Sequence, residues 1–177
     1  RDEPGLLSKF TGCVAVCGFN VVEARVYTLK NSMALDTIWI QNDMGSILDS
    51  KYHLPKLKNI LEKILFKKET IEKNIFLKKK NIKEKNYFNI IPKVFIDNTI
   101  SDKNTILETN SIDRIALIHD LTKKSYSLGL QINSAKILTM GKKITDIFYI
   151  TDLKGKKILS NKRKKYLKKQ ILSLLRN

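Results

Sequence analysis

Apolar residues recur along this chain with two alternating periods, and those periods outline its elements. Between Gly5 and Cys17, the residues Leu6, Leu7, Phe10, Cys13, Val14 and Cys17 keep the i, i+4, i+7 spacing of one helical face. Leu117, Ile118, Leu121 and Leu128 repeat that spacing later. A glycine follows each run, Gly18 or Gly129, where a left-handed residue ends a helix at little cost. The period then falls to two. Over Val21–Lys30 and Ile132–Met140, Ala24, Val26, Ala135 and Ile137 alternate with polar residues such as Arg25 and Lys136, which predicts half-buried strands. The turns Asn31-Ser32 and Gly141-Lys142 lead into Ala34–Gln41 and Ile144–Thr151, so two hairpins are expected. Two lysine-rich helices carry one apolar stripe each: Leu57, Leu61, Ile64 and Leu65, then Leu167, Ile171, Leu174 and Leu175. Val94–Asp97 and Thr105–Asn110 read as single strands.

These elements are two copies of one module. Asp2 and Asp113, Leu6 and Leu117, Thr11 and Thr122, Gly18 and Gly129, Ala24 and Ala135, and Thr28 and Thr139 all match at one spacing of 111 residues. After one deletion the spacing becomes 110, and Asp36 meets Asp146, Ile40 meets Ile150 and Gly45 meets Gly155. The deletion falls in the hairpin turn, where a sheet tolerates it. Each copy reads helix, strand, strand, helix. Val94–Asp97 is expected to close the first copy and Thr105–Asn110 to open the second. The predicted class is α+β: two ferredoxin-like βαββαβ modules, each an antiparallel sheet with its helices on one face, the first without its opening strand. The expected domains are residues 1–98, including a lysine-rich linker over 67–93, and residues 99–177. Within the linker, Ile71, Ile75 and Ile82 keep helical spacing, so a helical extension and a solvated linker both fit.

Composition narrows the function. With 42% hydrophobic and 29% charged residues, the chain is neither disordered nor a membrane span. It opens Arg1-Asp2-Glu3-Pro4-Gly5, with no Met and no apolar leader, so part of a longer cytoplasmic protein is expected. The net charge of +17 suggests nucleic acid, but its distribution argues against it. Residues 51–93 hold 13 Lys and 4 Glu, and residues 154–177 hold 8 Lys, 2 Arg and no acid. The rest is nearly neutral, and arginine, the usual reader of phosphates and bases, is scarce. The lysines most simply form solvated helix faces. Cys13 and Cys17, one turn apart on an apolar helix face, read as buried small hydrophobes. Trp39 fits either the open side of the sheet or the core, and His53 is expected to be exposed and without a role.

The loop Asp2-Glu3-Pro4-Gly5-Leu6-Leu7 before a βαββαβ module resembles ACT domains, the small-molecule-sensing modules of amino-acid metabolism. Two stretches are more specific. Val21–Thr28 with Met33–Gln41, and Val94–Asn98 with Leu130–Ile137 and Asp146–Ile150, resemble the C-terminal ACT pair of the bacterial bifunctional PII uridylyltransferase/uridylyl-removing enzymes. That resemblance implies a regulatory region that senses L-glutamine and controls uridylylation and deuridylylation of the PII signal protein. It implies catalytic domains elsewhere, using Mg2+, and ACT–ACT packing here. No nucleotidyltransferase Gly-Ser/Asp-x-Asp pattern occurs, and His119-Asp120, the only His-Asp dipeptide, lies inside an apolar-periodic helix. No catalytic, metal or cofactor residue is therefore expected. A basic RNA-binding ferredoxin-like module and a ligand-free dimerising scaffold are the alternatives.

The expected ligand site lies at the two loops. Asp2 is placed to cap the first helix, Pro4 suits a first turn, and Gly5 allows close approach to the backbone. Free N–H groups there favour an α-carboxylate, next to Leu6. Asn20 and Val21 at the entry to the next strand are expected to complete the site, as Gln131 and Ile132 do in the second copy. The second loop reads Asp113-Arg114-Ile115-Ala116-Leu117, so Ala116 brings a Cβ to the approach while Arg114 offers a guanidinium for a carboxylate.

Overall fold

The computed structural model describes residues 1–3, 5–42, 50–66, 69–81 and 90–176. The helix α1 (Leu6–Cys17) precedes the hairpin β1 (Phe19–Thr28) and β2 (Ala34–Asn42). Helices α2 (Ser50–Phe66) and α3 (Ile71–Asn81) follow. Then come β3 (Lys93–Asp97), β4 (Thr105–Ile112), α4 (Leu117–Ser127), β5 (Leu130–Met140), β6 (Lys143–Asp152) and α5 (Asn161–Arg176). The strands form one sheet in the order β2-β1-β5-β6-β4-β3, with every neighbouring pair antiparallel. Alternate strand positions, among them Val21, Ala24, Leu107, Ile132, Ala135 and Phe148, join Val14, Leu121, Leu167 and Ile171 of the helices in one buried core. This is a mixed, ferredoxin-like architecture in which, among the described residues, β1 and β2 come from the first repeat and β3 to β6 lie together on the other side of the seam.

The repeat reaches down to single hydrogen bonds. Gly18 and Gly129 both end their helices in the left-handed region, at φ 86° and 70°. The N–H of Gly18 donates to Ala15 O and that of Gly129 to Tyr126 O, residues 111 apart. Both first hairpin strands bulge at the same place, between Val21 and Glu23 and between Ile132 and Ser134. The backbone N–H of Asp2 donates to the hairpin turn at Ser32 O, as that of Asp113 does at Lys142 O.

The two halves meet across a pseudo-dyad. β1 pairs with β5 through Ala24 and Ala135, one of the residue pairs 111 apart, flanked by Glu23 with Lys136 and Arg25 with Ser134. Beneath that seam α1 packs on α4. The hydroxyls of Thr11 and Thr122, also 111 apart, lie 3.2 Å from each other, and His119 Nδ1 is 2.6 Å from Ser8 O. Residues that match in the sequence thus touch in the structure, which is the mark of a two-fold axis running through them.

Two expectations change, and of the two readings of the linker the helical one holds over Ile71–Asn81. Val94–Asp97 is a strand, but it pairs with β4 rather than with the first copy's hairpin. It takes the sheet position beside the second module's opening strand, because a short apolar strand docks wherever an edge is open and its sequence does not name the edge. The linker holds a helix: α3 buries Ile71 and Ile75, and it packs on α1. Lys78 Nζ donates to Ala15 O at 2.6 Å, while Lys123 pairs with Glu72 at 2.5 Å and Lys79 with Asp120 at 3.1 Å. Residues 67–68 and 82–89, with Ile82 among them, and the repeat residue Gly45 lie outside the described residues. His53 is not free of contact, since its ring stands edge-on to Phe19 at 5.3 Å. Cys13 and Cys17 are buried, and burial pushes the Cys13 thiol up to about 12. Trp39 lies on the open side of the sheet beneath the Arg25 guanidinium, 5.1 Å from its ring centre. No helix among the described residues is long and apolar enough to cross a membrane.

Candidate functional site

Two clefts flank the pseudo-dyad, and they differ about tenfold in size. The larger has a volume of about 340 Å3. Its floor and one wall come from the first module: Asp2, Glu3, Gly5, Leu6, Leu7 and Ser8 at the start of α1, Val26 and Thr28 of β1, and Asp36 of β2. The other wall is the second module's Thr122, Tyr126, Leu130, Gln131 and Ile132, with Leu153 beyond β6. A volume near 300 Å3 is the lower end of what small-molecule sites use. The smaller cleft, about 30 Å3, has the same plan with the modules exchanged. Asp113, Arg114, Ala116 and Leu117 line it from the second module, and Asn20 and Val21 from the first.

The predicted site residues therefore divide in a way the sequence does not show. Asp2, Gly5 and Leu6 meet Gln131 and Ile132, while Asp113, Arg114, Ala116 and Leu117 meet Asn20 and Val21. Each loop faces the strand entry of the other module, because the two modules pack about a dyad. Pro4 lies outside the described residues. Asp2 does not cap α1, whose N-terminus has no side-chain cap. Its carboxylate instead accepts a hydrogen bond from the Thr28 hydroxyl. Gly5 is left-handed at φ 80°, and Ala116 is held in the same region at φ 60°. That conformation costs a non-glycine residue about 1–2 kcal/mol.

Three lining side chains of the second cleft are bulkier than their counterparts in the first. Where the large cleft has Ser8, Val26 and Leu130, the small one has His119, Ile137 and Phe19 at the repeat-related positions. The His119 ring is buried, and burial holds its pKa below the usual histidine range. Arg114 is ion-paired with Asp120 and so is not held open for a carboxylate ligand.

Sequence reasoning missed Asp36, Thr28, Ser8 and Tyr126 as lining residues, although the matches of Asp36 with Asp146 and Thr28 with Thr139 marked two of them. Asp36 is half-buried at the large cleft, and its Oδ1, a buried atom, has no hydrogen-bond partner, as is also true of Asp146 Oδ1. Burial raises its pKa, and the nearby Asp2 adds to the rise against a backbone hydrogen bond from Tyr27. Its counterpart Asp146 is fully buried. Thr109 donates to Asp146 Oδ2 at 2.9 Å, and burial pushes the carboxyl up to about 7. Among the described residues, no group of three His, Cys, Asp or Glu side chains is arranged to hold a metal ion.

The comparisons agree with this architecture. The family model of the ACR9-like, ACT-like domain matches residues 93–176, a span that begins at β3. The chain is 38% identical over 176 residues to the bifunctional uridylyltransferase/uridylyl-removing enzyme of Gluconobacter oxydans. It is 34% identical over 173 residues to that of Zymomonas mobilis, and 35% over 176 residues to that of Azospirillum brasilense. The matches take in 97–98% of this chain and 18–19% of the relatives' length. No solved structure matches. The chain therefore carries an ACT-like domain over residues 93–176 and is similar, over nearly its whole length, to part of the bifunctional uridylyltransferase/uridylyl-removing enzymes.

Proposed function

We propose that this unit is an effector sensor that binds a free α-amino acid, L-glutamine, in the large cleft. In the cytoplasmic enzyme that would contain it, occupancy would govern the balance between uridylylation and deuridylylation of a PII-type signal protein. The observation that carries the reading is the cleft of about 340 Å3 built by both modules at once. Its chemistry suits a zwitterion. The uncapped N-terminus of α1 favours a carboxylate, Asp2 and Asp36 favour an ammonium, and the Gln131 amide offers both a donor and an acceptor to a side-chain amide. A ligand spanning the dyad also has a route to control. It touches α1 of one module and β5 of the other, so its affinity depends on how the two are held. Control requires that dependence, since a ligand binding two arrangements equally shifts neither.

Calorimetric titration of the 177-residue chain tests the reading, with L-glutamate and D-glutamine as controls. Saturable heat from L-glutamine, with the controls at least ~10-fold weaker, is the expected result. Absence of heat from a chain shown by circular dichroism to be folded would refute it.

A further inference from the structure

The helix α3 lies outside the stretches that match between the two copies, yet it meets matched positions in both. Gly12 of α1 and Lys123 of α4 stand at the repeat spacing of 111 residues. Gly12 leaves bare backbone. A Cβ there would lie 2.9 Å from Ile71 Cγ1, so α3 sits where α1 lacks a side chain. Lys123 does the opposite and extends to Glu72, the next residue of α3, at 2.5 Å. Two turns further along α3 the pattern recurs. Lys78 Nζ donates to Ala15 O of α1 at 2.6 Å, and its neighbour Lys79 pairs with Asp120 of α4 at 3.1 Å. One face of α3 therefore addresses the first module and the adjacent face the second.

From this placement we infer that α3 is a strap across the pseudo-dyad, seated on α1 by packing and holding α4 by charge. The two attachments differ in kind. Ile71 and Ile75 are buried, and α3 packs on α1, so that side is anchored by apolar contact. The bonds to α4 run between long side chains that keep much of their exposure, and such ion pairs are weak singly and screened by salt. The hydrogen bond from Lys123 holds the Glu72 carboxyl below the usual carboxylate range, so the pair is charged at neutral pH. The strap can thus let go of α4 while staying on α1. It has leverage because the strand seam it backs is short, three residue pairs between β1 and β5. The inference concerns how the modules are held, and it stands whether or not the large cleft binds an amino acid.

Amide hydrogen exchange of the 177-residue chain, read by NMR, tests the strap. The measured quantity is exchange at the β1–β5 seam relative to the β4–β6 ladder, which lies within the second half and serves as the control. Glu72→Lys should speed seam exchange about 5-fold, and Lys123→Glu should do the same. The two together exchange the charges, re-form the pair and should return the seam to the wild-type rate. In the wild type, raising NaCl from about 0.05 to about 0.5 M should also speed the seam relative to the ladder. Glu72→Gln with Lys79→Gln should abolish that salt response. A seam that ignores both salt and the single reversals would make α3 a helix of the first module alone. A double variant that exchanges as fast as the singles would mean that Glu72 and Lys123 do not hold the halves through each other. The salt comparison needs no variant, so it decides even where a reversal folds poorly.

Discussion

Asp146 and Ala116 show how one backbone comes to hold different chemistry in its two copies. Ala116 keeps the left-handed conformation that Gly5 adopts freely, at φ 60°. Contacts around it must therefore outweigh the strain, and it is indeed buried. Asp146 is the stronger case. Burial raises its carboxyl to about 7, with Asp113 adding repulsion and Thr109 opposing. Below about pH 4 the group is protonated whether the chain is folded or not. As pH rises from there toward 7, the unfolded chain ionises while the folded chain keeps its proton. Stability falls across that window and levels off above it. Asp146→Asn removes the titration, so its stability relative to the wild type should climb between pH 4 and 7, by up to ~4 kcal/mol. Urea unfolding of both proteins at a series of pH values measures the difference. A difference that stays flat with pH would mean that Asp146 ionises as freely in the fold as outside it.

The helices carry the next level, and there the tightest contact is Gly12. A Cβ on that residue would lie 2.8 Å from His119 Nδ1 and 2.9 Å from Ile71 Cγ1, so three helices converge on a site with no room for a methyl group. Gly12→Ala raises the propensity of α1 and still should destabilise the chain by ~1–3 kcal/mol, because overpacking outweighs propensity here. Thermal or urea unfolding reads this directly, and a more stable variant would show that α1, α3 and α4 give way easily. The same elements show what the sequence makes legible. Strong single-period runs, such as Leu6 to Cys17 or the alternation around Ala135, place their elements to within a residue or two. The repeat of Thr11 with Thr122 and Ala24 with Ala135 even encodes the dyad, although nothing in the sequence says that matching residues touch. The strand β3 was legible as a strand but not in its pairing, because edge docking is a long-range choice. The site was half legible. The predicted loop residues and Gln131 line the two clefts, yet the exchange of Asn20 and Gln131 between the clefts depends on inter-module packing, which leaves no local pattern.

At the scale of the whole molecule, the repeat relates two clefts, and only one of them is large. The dyad relates the clefts, but Ser8, Val26 and Leu130 have become His119, Ile137 and Phe19 on the other side. About 30 Å3 admits roughly one water and no amino acid. The unit should therefore bind one ligand per chain. A single ligand is also enough to link the halves, since the β1–β5 seam consists of three residue pairs and the large cleft lies across the same junction. Binding at the cleft stabilises the folded pair by an amount that grows with the logarithm of ligand concentration, about 2.7 kcal/mol at a hundred times Kd. Two measurements then belong together. Calorimetry of the wild type should give a stoichiometry near one. Arg114→Ala, which opens the Asp120 ion pair at the small cleft, should leave affinity and stoichiometry unchanged, because that cleft is closed by the bulk of its lining as well as by charge. A stoichiometry near two would mean that His119 and Phe19 swing aside, and that the asymmetry belongs to the empty state and not to the pair itself.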